Sequence, residues 1–383
     1  MALHFTKDEF AERRRRTLAA MTARNLDALL MFKQESMYWL TGYDTFGFCF
    51  FQCLILRADG EIVLLTRAPD LRQAQNTSII EDIRIWVDRD GATPADDLKD
   101  LLRRGGLEGK RLGIEYDATG LTAARGKQVD AALDGFAVAR DASDLVSGLR
   151  LTKSKAELAY VRRAAELADE AFEAAVGATH AGADEGDILA AMQGAVFKGG
   201  GDYPGNPFII GSGPDALLCR YKSGRRKLDA QDQLTLEYAG VYRQYHACLM
   251  NTFVIGEPTP HEQKMFRAAR EALLACEEAL KPGNTMGAVF DSHARVIDSH
   301  GLKPHRLNAC GYSLGTVYAP CWMDYPMFYT GNPTVIEPGM VFFLHMILMD
   351  SDAGQAMTLG RTSIVSSEGA APLSKAPLEL VIK

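Results

Sequence analysis

The chain has 383 residues, of which 47% are hydrophobic and 24% are charged, a composition typical of soluble globular proteins with room for two domains. The 49 acidic residues outnumber the 42 basic residues, and the net charge of -7 argues against nucleic acid as a partner. The longest apolar stretch, residues 46–56, is interrupted by Gln52 and is too short to cross a bilayer, so no membrane partner is expected.

The cysteines and the first residues indicate the cellular compartment. The chain has seven cysteines at irregular spacing, and an odd number argues against a complete disulfide framework. The opening sequence, MALHFTKDEFAERRRR, lacks the apolar core of a secretory signal. We therefore expect a cytoplasmic protein whose thiols are reduced.

Helix and strand signals alternate through residues 1–145. An amphipathic helix is predicted over residues 13–30, where apolar side chains recur at helical spacing. Strands are predicted over residues 50–56, 61–67, 81–87 and 110–117. This alternation predicts an α/β domain with a central sheet.

A second domain is predicted over residues 146–383. It opens with Ser154 and Glu157, whose spacing is the signature of a capping box at the start of a long helix. Another helix is predicted over residues 186–198, and the glycine run that follows it ends the helix. The remainder contains mostly strand signals and two further helices, so this domain is expected to be α+β.

The most informative segment is residues 236–248, LEYAGVYRQYHAC, which has the pattern of a strand, a turn and a second strand. Because side chains alternate along strands, Glu237, His246 and Cys248 are expected on the same face of this hairpin. A carboxyl group, an imidazole and a thiol then converge on one pocket. Such convergence of titratable groups favours a chemical role over a packing role.

Five segments of the second half resemble the creatinase/prolidase/methionine aminopeptidase family, whose catalytic domain has the pita-bread fold. They are LRLTKSKAELAYVRRAAELAD (149–169), LEYAGVYRQYHACLMNTFVIGEP (236–258), CGYSLGTVY (310–318), EPGMVFFLHMILM (337–349) and MTLGRTSIVSSEGAAPLSKAP (357–377). Residues 1–145 resemble the smaller N-terminal domain of the creatinase and prolidase branch. The resemblance implies an α/β N-terminal domain, an α+β pita-bread domain and a homodimer.

The resemblance also implies the place of a metal centre, and the chain departs from the family pattern there. Metallopeptidases of the family hold two metal ions with two aspartates, a histidine and two glutamates. The matching positions here are Glu237, Cys248, Tyr312, His345 and Gly360. Tyrosine is a poor ligand for hard divalent ions and glycine has no side chain, so no metal is expected. The alternative is one zinc ion held by Glu237, His246, Cys248 and His345.

Creatinase and ectoine hydrolase are metal-independent members of the family that this chain resembles. Met250 and His345 stand where creatinase has glutamates, so creatine is not a favoured substrate. We therefore predict an enzyme, a metal-independent hydrolase that cleaves a C–N bond of the amide, cyclic amidine or guanidino type in a small polar metabolite. Three alternatives remain open: a Xaa-Pro dipeptidase-like metallohydrolase with atypical ligands, a non-catalytic small-molecule-binding protein, and a lyase of the dimethylsulfoniopropionate type.

The predicted nucleophile is Cys248, with His345 as the neighbouring base. Glu237 would orient a histidine or a substrate cation, and Tyr312 would donate a hydrogen bond to the oxyanion or the leaving nitrogen. A packing role for Cys248 is the alternative, because free cysteine is commonly buried. The missing side chain at Gly360 predicts that substrate occupies the former metal volume.

Further residues are predicted to contact the substrate. Arg220, which matches the family's substrate-side histidine, and Arg361 would pair with a carboxylate. Trp322 and Asp324 would hold a cation. An aromatic segment of the first domain would reach the active site of a partner subunit. The full set of predicted contacts is His246, Arg220, Tyr43, Phe46, Trp322, Asp324 and Arg361.

Overall fold

The computed structural model describes residues 3–220 and 225–383. The chain divides into two compact units, Met1–Arg150 and Leu151–Lys383. The domain boundary predicted at residue 145 falls inside a helix, Ser143–Leu151.

The first unit is an α/β domain built on one sheet. Its elements are α1 (Lys7–Ala23), β1 (Ala28–Met31), α2 (Gln34–Thr41), β2 (Cys53–Arg57), β3 (Ile62–Thr66), α3 (Leu71–Thr77), β4 (Asp82–Ile85), α4 (Pro94–Arg104), β5 (Arg111–Ile114), α5 (Ala123–Leu133), β6 (Val138–Asp141) and α6 (Ser143–Leu151). Among the described residues the strand order is β4-β3-β2-β1-β5-β6. The helix predicted over residues 13–30 ends earlier, at Ala23, because Asn25 adopts a left-handed conformation with φ of 55°.

The second unit is α+β, as the sequence pattern predicts. Its elements are α7 (Lys155–Ala178), α8 (Glu185–Lys198), β7 (Ile209–Ser212), β8 (Asp232–Tyr242), β9 (Tyr245–Ile255), α9 (Pro260–Ala279), α10 (Met286–Ser299), β10 (Gly311–Ser313), β11 (Asp324–Met327), β12 (Val341–Asp350), β13 (Gln355–Val365), β14 (Ala370–Pro372) and β15 (Val381–Ile382). The predicted capping box of Ser154 and Glu157 is present at the start of α7. In the described parts of the chain, no helix combines the length and apolarity needed to cross a membrane.

The main sheet of the second unit has the strand order β11-β10-β12-β13-β9-β8-β7, with β14 paired to β13 and β15 to β9. The hairpin of β8 and β9 turns at Arg243 and Gln244, whose φ values of 51° and 68° are those of a tight two-residue turn. Its register pairs Glu237 with Met250. Alternation along these strands then sets which side chains share the face of Glu237.

Helices cover the opposite face of this sheet. Phe342 and Leu344 of β12 belong to a buried apolar cluster with residues of α9 and α10. Helix α7 lies against β8 so closely that a Cβ on Gly240 would be 1.9 Å from the carbonyl oxygen of Ala164. Because side chains alternate, His345 points away from these helices. Glu237, Cys248 and His345 therefore lie on the face that the helices do not cover.

Candidate functional site

One row of residues crosses the sheet on this face. In the strand register His345 pairs with Gly360, Gly360 with Met250, and Met250 with Glu237. Paired residues of neighbouring strands point to the same side, so the four residues share a surface. The hairpin prediction agrees with this arrangement, because Glu237 and Cys248 lie on the same face.

Tyr312 of β10 and Glu237 of β8 are in contact on this face although three strands, β12, β13 and β9, lie between their own. The Tyr312 hydroxyl donates a hydrogen bond to Glu237 Oε1 at 3.2 Å, and Trp322 Nε1 donates to the Tyr312 hydroxyl oxygen at 2.9 Å. In a flat sheet these two strands would be roughly 19 Å apart, which is more than the two side chains can span. The sheet therefore curls, and the three side chains form one hydrogen-bonded chain.

Glu237 is the titratable group that this arrangement prepares for chemistry. Burial raises its pKa from an ordinary 4.5 to about 7, while the hydrogen bond from Tyr312 and the charge of Arg220 act in the opposite direction. Burial also raises the pKa of Tyr312, and the nearby carboxyl group raises it further, so Tyr312 stays a phenol. A carboxyl group with a pKa near 7 gains and loses a proton readily at neutral pH, as general acid–base catalysis requires.

A small pocket lies beside Glu237. About 270 Å³ of space, open solvent included, lies within it, and its mostly apolar lining includes Met250, Ile347 and Met349. The hydroxyl of Thr235, which also lines the pocket, is hydrogen-bonded to backbone carbonyl oxygens. Among the lining residues that the structure describes, Glu237 therefore supplies the carboxyl group that can act on a small ligand.

The volume that we expected to be open at Gly360 is filled by Phe343. A Cβ on Gly360 would lie 3.0 Å from Phe343 Cε2 and 2.7 Å from the carbonyl oxygen of Leu344. Phe343 is fully buried, and its ring centroid lies 5.5 Å from that of Tyr312 and 5.6 Å from that of His345. The prediction that substrate occupies this volume is therefore wrong, because an aromatic ring occupies it.

The predicted pair of Cys248 and His345 is not formed. The backbone N–H of Cys248 donates to the hydroxyl of Thr362, and Thr362 pairs in turn with Phe343 of β12. No hydrogen bond joins the thiol to the imidazole within residues 3–220 and 225–383. Burial raises the pKa of Cys248 well above its ordinary value of 9.0, and the neighbouring Glu237 raises it further. The geometry therefore favours the alternative, a buried packing role for Cys248.

His345 is buried beside the aromatic rings of the site. Its ring centroid lies 5.5 Å from that of Tyr312. Burial lowers the pKa of His345 from 6.5 to about 3, and the neighbouring His293 and Arg220 act in the same direction, so the imidazole is neutral at pH 7. Among the described residues its Nδ1 atom has no hydrogen-bond partner. Because buried polar atoms are normally paired, His345 remains a candidate for contact with a ligand or a water molecule.

His246 has a structural role instead of the predicted substrate contact. Its Nε2 atom accepts a hydrogen bond from the backbone N–H of Gly205 at 2.9 Å, and its Nδ1 atom lies 2.9 Å from the carbonyl oxygen of Gln244. The ring is fully buried, and burial lowers its pKa to about 4. Both ring nitrogens are occupied by backbone groups, so neither is available to a substrate.

Arg361 and Tyr43, two other predicted substrate contacts, have partners within the protein. Arg361 makes a two-pronged ion pair with Glu277 of α9, with both N–O distances at 2.7 Å, so its side chain lies on the face that the helices cover. Tyr43 is fully buried in the first unit, where its hydroxyl donates to Gln52 Oε1 at 3.2 Å. The ion pair occupies the charged end of Arg361, and Tyr43 has no exposed surface.

The remaining predicted substrate contacts differ in their exposure to solvent and in their hydrogen bonds. Trp322 lies in the hydrogen-bonded chain described above, and it is 1% exposed. Arg220 is exposed, and its charge acts on Glu237. Asp324 begins β11 and accepts a hydrogen bond from the backbone N–H that follows it. Phe46 is 81% exposed in the first unit. Substrate contact by Arg220, Asp324 and Phe46 stays a prediction.

The side chains at the family's metal positions do not fit a metal centre. In the part of the chain that the structure describes, no three side chains of His, Cys, Asp and Glu are grouped so that they could hold a metal ion. The Phe343 ring lies over Gly360, and the Cys248 thiol favours its protonated form. The alternative zinc set is also not assembled, because the backbone occupies both nitrogens of His246.

Some residues that shape the site were missed by the sequence analysis. Phe343 shares the face of His345 two residues along the same strand, so alternation could have placed it in the site. A glycine on the next strand is the further signal, because it leaves room for a ring. His293 was assigned no role, yet it is buried, and its Nδ1 atom has no partner among the described residues. The position of His293 on a predicted helix did not indicate that its side chain is buried.

Comparison with known proteins assigns the family. Residues 159–367 match the metallopeptidase family M24, and residues 13–152 match the creatinase/prolidase N-terminal domain. The chain therefore belongs to metallopeptidase family M24. The predicted family is confirmed, and so is the fold class of an α/β N-terminal domain followed by an α+β pita-bread domain. The prediction that the protein is a hydrolytic enzyme is also confirmed, since the relatives of this chain are named as hydrolases and peptidases.

Full-length relatives lie at about one-quarter identity. An uncharacterized hydrolase/peptidase of Sinorhizobium fredii is 28% identical over 100% of this chain and 99% of its own length. The ectoine hydrolase of Halomonas elongata is 27% identical over 100% of this chain and 99% of its own. The solved Xaa-Pro dipeptidase from Bacillus anthracis is 21% identical, covers 98% of this chain and 100% of its own, and has a TM-score of 0.85. At that identity the dipeptidase supports the fold alone.

Proposed function

We propose that the chain is a metal-independent hydrolase that cleaves a C–N bond in a small polar metabolite, with Glu237 as its general base and acid. The observation that carries this proposal is the position of Glu237 beside a small pocket, where burial raises its pKa to about 7. The side chains at the metal positions support the same conclusion, since they do not form a metal site. The chemistry then depends on the protein's own titratable groups.

In this mechanism the Glu237 carboxylate takes a proton from a water molecule, and the resulting hydroxide attacks the amide or amidine carbon. The C–N bond then breaks, and Glu237 returns the proton to the leaving nitrogen, which departs as an amine. For an amidine the product carbon keeps the new oxygen and becomes an amide. Tyr312 donates its hydrogen bond to Glu237 and so directs the carboxyl group.

The first substrate class to test is a cyclic amidine that carries a carboxylate. The ectoine hydrolase of Halomonas elongata supports this choice, because it aligns with the whole of this chain. Ectoine has both groups, so its amidine would face Glu237 and its carboxylate would pair with Arg220. The neutral His345, whose Nδ1 atom has no partner among the described residues, would accept a hydrogen bond from a substrate N–H group.

The test is product detection by mass spectrometry with ectoine, creatine and Xaa-Pro dipeptides, each with and without excess chelator. The expected result is hydrolysis of ectoine or a related small amide in the presence of chelator, and its loss in the Glu237→Gln variant. The value of kcat/KM should rise with pH through a midpoint near 7, because the base must be ionised. Turnover of a dipeptide that requires added metal would instead restore the peptidase alternative, and full activity of Glu237→Gln would sink the proposed mechanism.

A further inference from the structure

Trp322 is held in place by a backbone segment, residues 201–206, that lies beside it. The Asn206 side-chain oxygen accepts a hydrogen bond from the backbone N–H of Trp322 at 3.1 Å. A Cβ on Gly205 would lie 3.0 Å from both the backbone nitrogen and Cα of Trp322, so the two backbones are in direct contact. The position of the indole ring therefore depends on this segment.

The same segment is fixed to the tip of the β8–β9 hairpin. The backbone N–H of Gly205 donates to His246 Nε2 at 2.9 Å. The backbone N–H of Asp202 donates to the carbonyl oxygen of Val241 at 3.0 Å, and its carboxylate accepts a hydrogen bond from the backbone N–H of Arg243. The hairpin that carries Glu237 thus also fixes the segment that holds Trp322.

We propose that Asn206 and His246 are positioning residues that keep the Tyr312 hydroxyl directed at Glu237 by holding Trp322. An indole N–H is a donor and never an acceptor, so the hydrogen bond from Trp322 occupies a lone pair of the tyrosine oxygen. The hydroxyl proton is then left for Glu237. This inference rests on the proposed function, because it gives the hydrogen bond to Glu237 a catalytic purpose.

His246 is suited to this task because its two ring nitrogens act in opposite senses. Nε2 accepts from the backbone N–H of Gly205, which requires the neutral ring with its proton on Nδ1, facing the carbonyl oxygen of Gln244. Burial lowers the pKa of the ring to about 4. The bond to Gly205 is therefore maintained at neutral pH, where Glu237 titrates.

The experiment compares variants that remove each bond with matched variants that keep it. Asn206→Ala removes the acceptor for Trp322, whereas Asn206→Asp keeps a side-chain oxygen at that place. His246→Leu removes the acceptor for Gly205, whereas His246→Gln keeps one. The titration of Glu237 is followed in each protein by the infrared band of its protonated carboxyl group, which is assigned by its loss in Glu237→Gln. This readout requires no substrate.

The expected result is that Asn206→Ala and His246→Leu move the titration midpoint of Glu237 to higher pH. The reason is that the hydrogen bond from Tyr312, which stabilises the ionised carboxylate, is weakened. Tyr312→Phe, which removes this bond, should shift the midpoint in the same direction. The matched Asn206→Asp and His246→Gln variants should stay closer to the wild type. On ectoine, kcat should fall by roughly ten- to a hundredfold in the first pair, as for a small misplacement of a catalytic group, with little change in KM.

An unchanged midpoint in folded Asn206→Ala and His246→Leu would overturn the inference. Thermal melting identifies any variant that fails to fold, and Asn206→Ser then replaces Asn206→Ala as the smaller change. The Glu237→Gln variant separates the positioning role from the catalytic role of Glu237 on which it rests. If this variant hydrolyses ectoine as well as the wild type, the proposed catalytic role of Glu237 fails; if it is inactive while the positioning variants titrate normally, the positioning role alone fails.

Discussion

The proton on Glu237 links the stability of the protein to the chemistry of its site. Burial raises the pKa of this carboxyl group from 4.5 to about 7, so the folded state holds the proton more tightly than the unfolded chain does. The stability that this group contributes is therefore fully present below about pH 4.5 and is lost as the pH rises through about 7. Above that pH the protein contains a desolvated carboxylate.

This predicts that Glu237→Gln stabilises the protein at high pH. A neutral amide has no charged form to desolvate, so above about pH 8 the variant should exceed the wild type by roughly 2–3 kcal/mol in the free energy of unfolding. Below about pH 4 the difference should vanish, since the wild-type carboxyl group is then neutral in both the folded and the unfolded state. Denaturant unfolding at both pH values checks this. The raised pKa of Glu115 in the first unit affects both proteins equally and cancels.

The role of the Cys248 thiol, as a nucleophile or as a packing group, can be tested by its removal. Because this thiol is buried and its pKa is raised, Cys248→Ala should keep kcat/KM within a factor of a few and lower stability by about 1 kcal/mol. Loss of a true nucleophile lowers kcat by several orders of magnitude. Steady-state kinetics and melting decide between the two roles, and Cys276→Ala, another buried thiol in the same unit, is the matched control for stability.

At the scale of elements, strand alternation predicted which side chains share a face, but the contacts that depend on sheet curvature could not be predicted from it. The placement of Glu237 and Cys248 on one face follows from the hairpin pattern, since each strand alternates regularly. The contact of Tyr312 with Glu237 does not follow from any local pattern, because it depends on the curl of several strands. The predicted pair of Cys248 and His345 is not formed because β13 lies between their strands. Two side chains on one face of a sheet need not be within hydrogen-bond distance of each other.

The packing of β12 on β13 gives a prediction for Gly360. A methyl group at this position would meet the Leu344 carbonyl oxygen at 2.7 Å and the Phe343 ring at 3.0 Å. Gly360→Ala should therefore destabilise the protein by about 1–3 kcal/mol, as overpacking does. Gly194→Ala is the control, because this glycine lies in α8 with open space around it and alanine favours helices. Equal melting temperatures for Gly360→Ala and the wild type would contradict the tight packing.

At the scale of the whole molecule, the fold is that of a metallopeptidase family while the side chains at the metal positions are not those of a metal site. The overall architecture was predictable because the five resembling segments are distributed along the second unit, from residue 149 to residue 377. The identity of the acting residue was not, since it depends on how Glu237, Tyr312 and Trp322 come together in the folded sheet.

The metal independence that we propose predicts that turnover is insensitive to metal. Dialysis against excess chelator should leave kcat/KM unchanged, and added zinc or manganese should not raise it, because the side chains at the metal positions do not converge on an ion. The measurement is steady-state kinetics combined with the metal content of the purified protein. Loss of activity on dialysis that zinc or manganese restores would refute metal independence.

The ring of Phe343 over Gly360 also limits the evolutionary routes open to this chain. A glutamate introduced at position 360 would collide with the ring, and a small residue introduced at position 343 would leave a cavity in a buried aromatic cluster. A glutamate at position 360 therefore loses stability unless position 343 changes with it. A stepwise approach to the family's two-metal ligand set requires these two positions to change together, so the present packing opposes it.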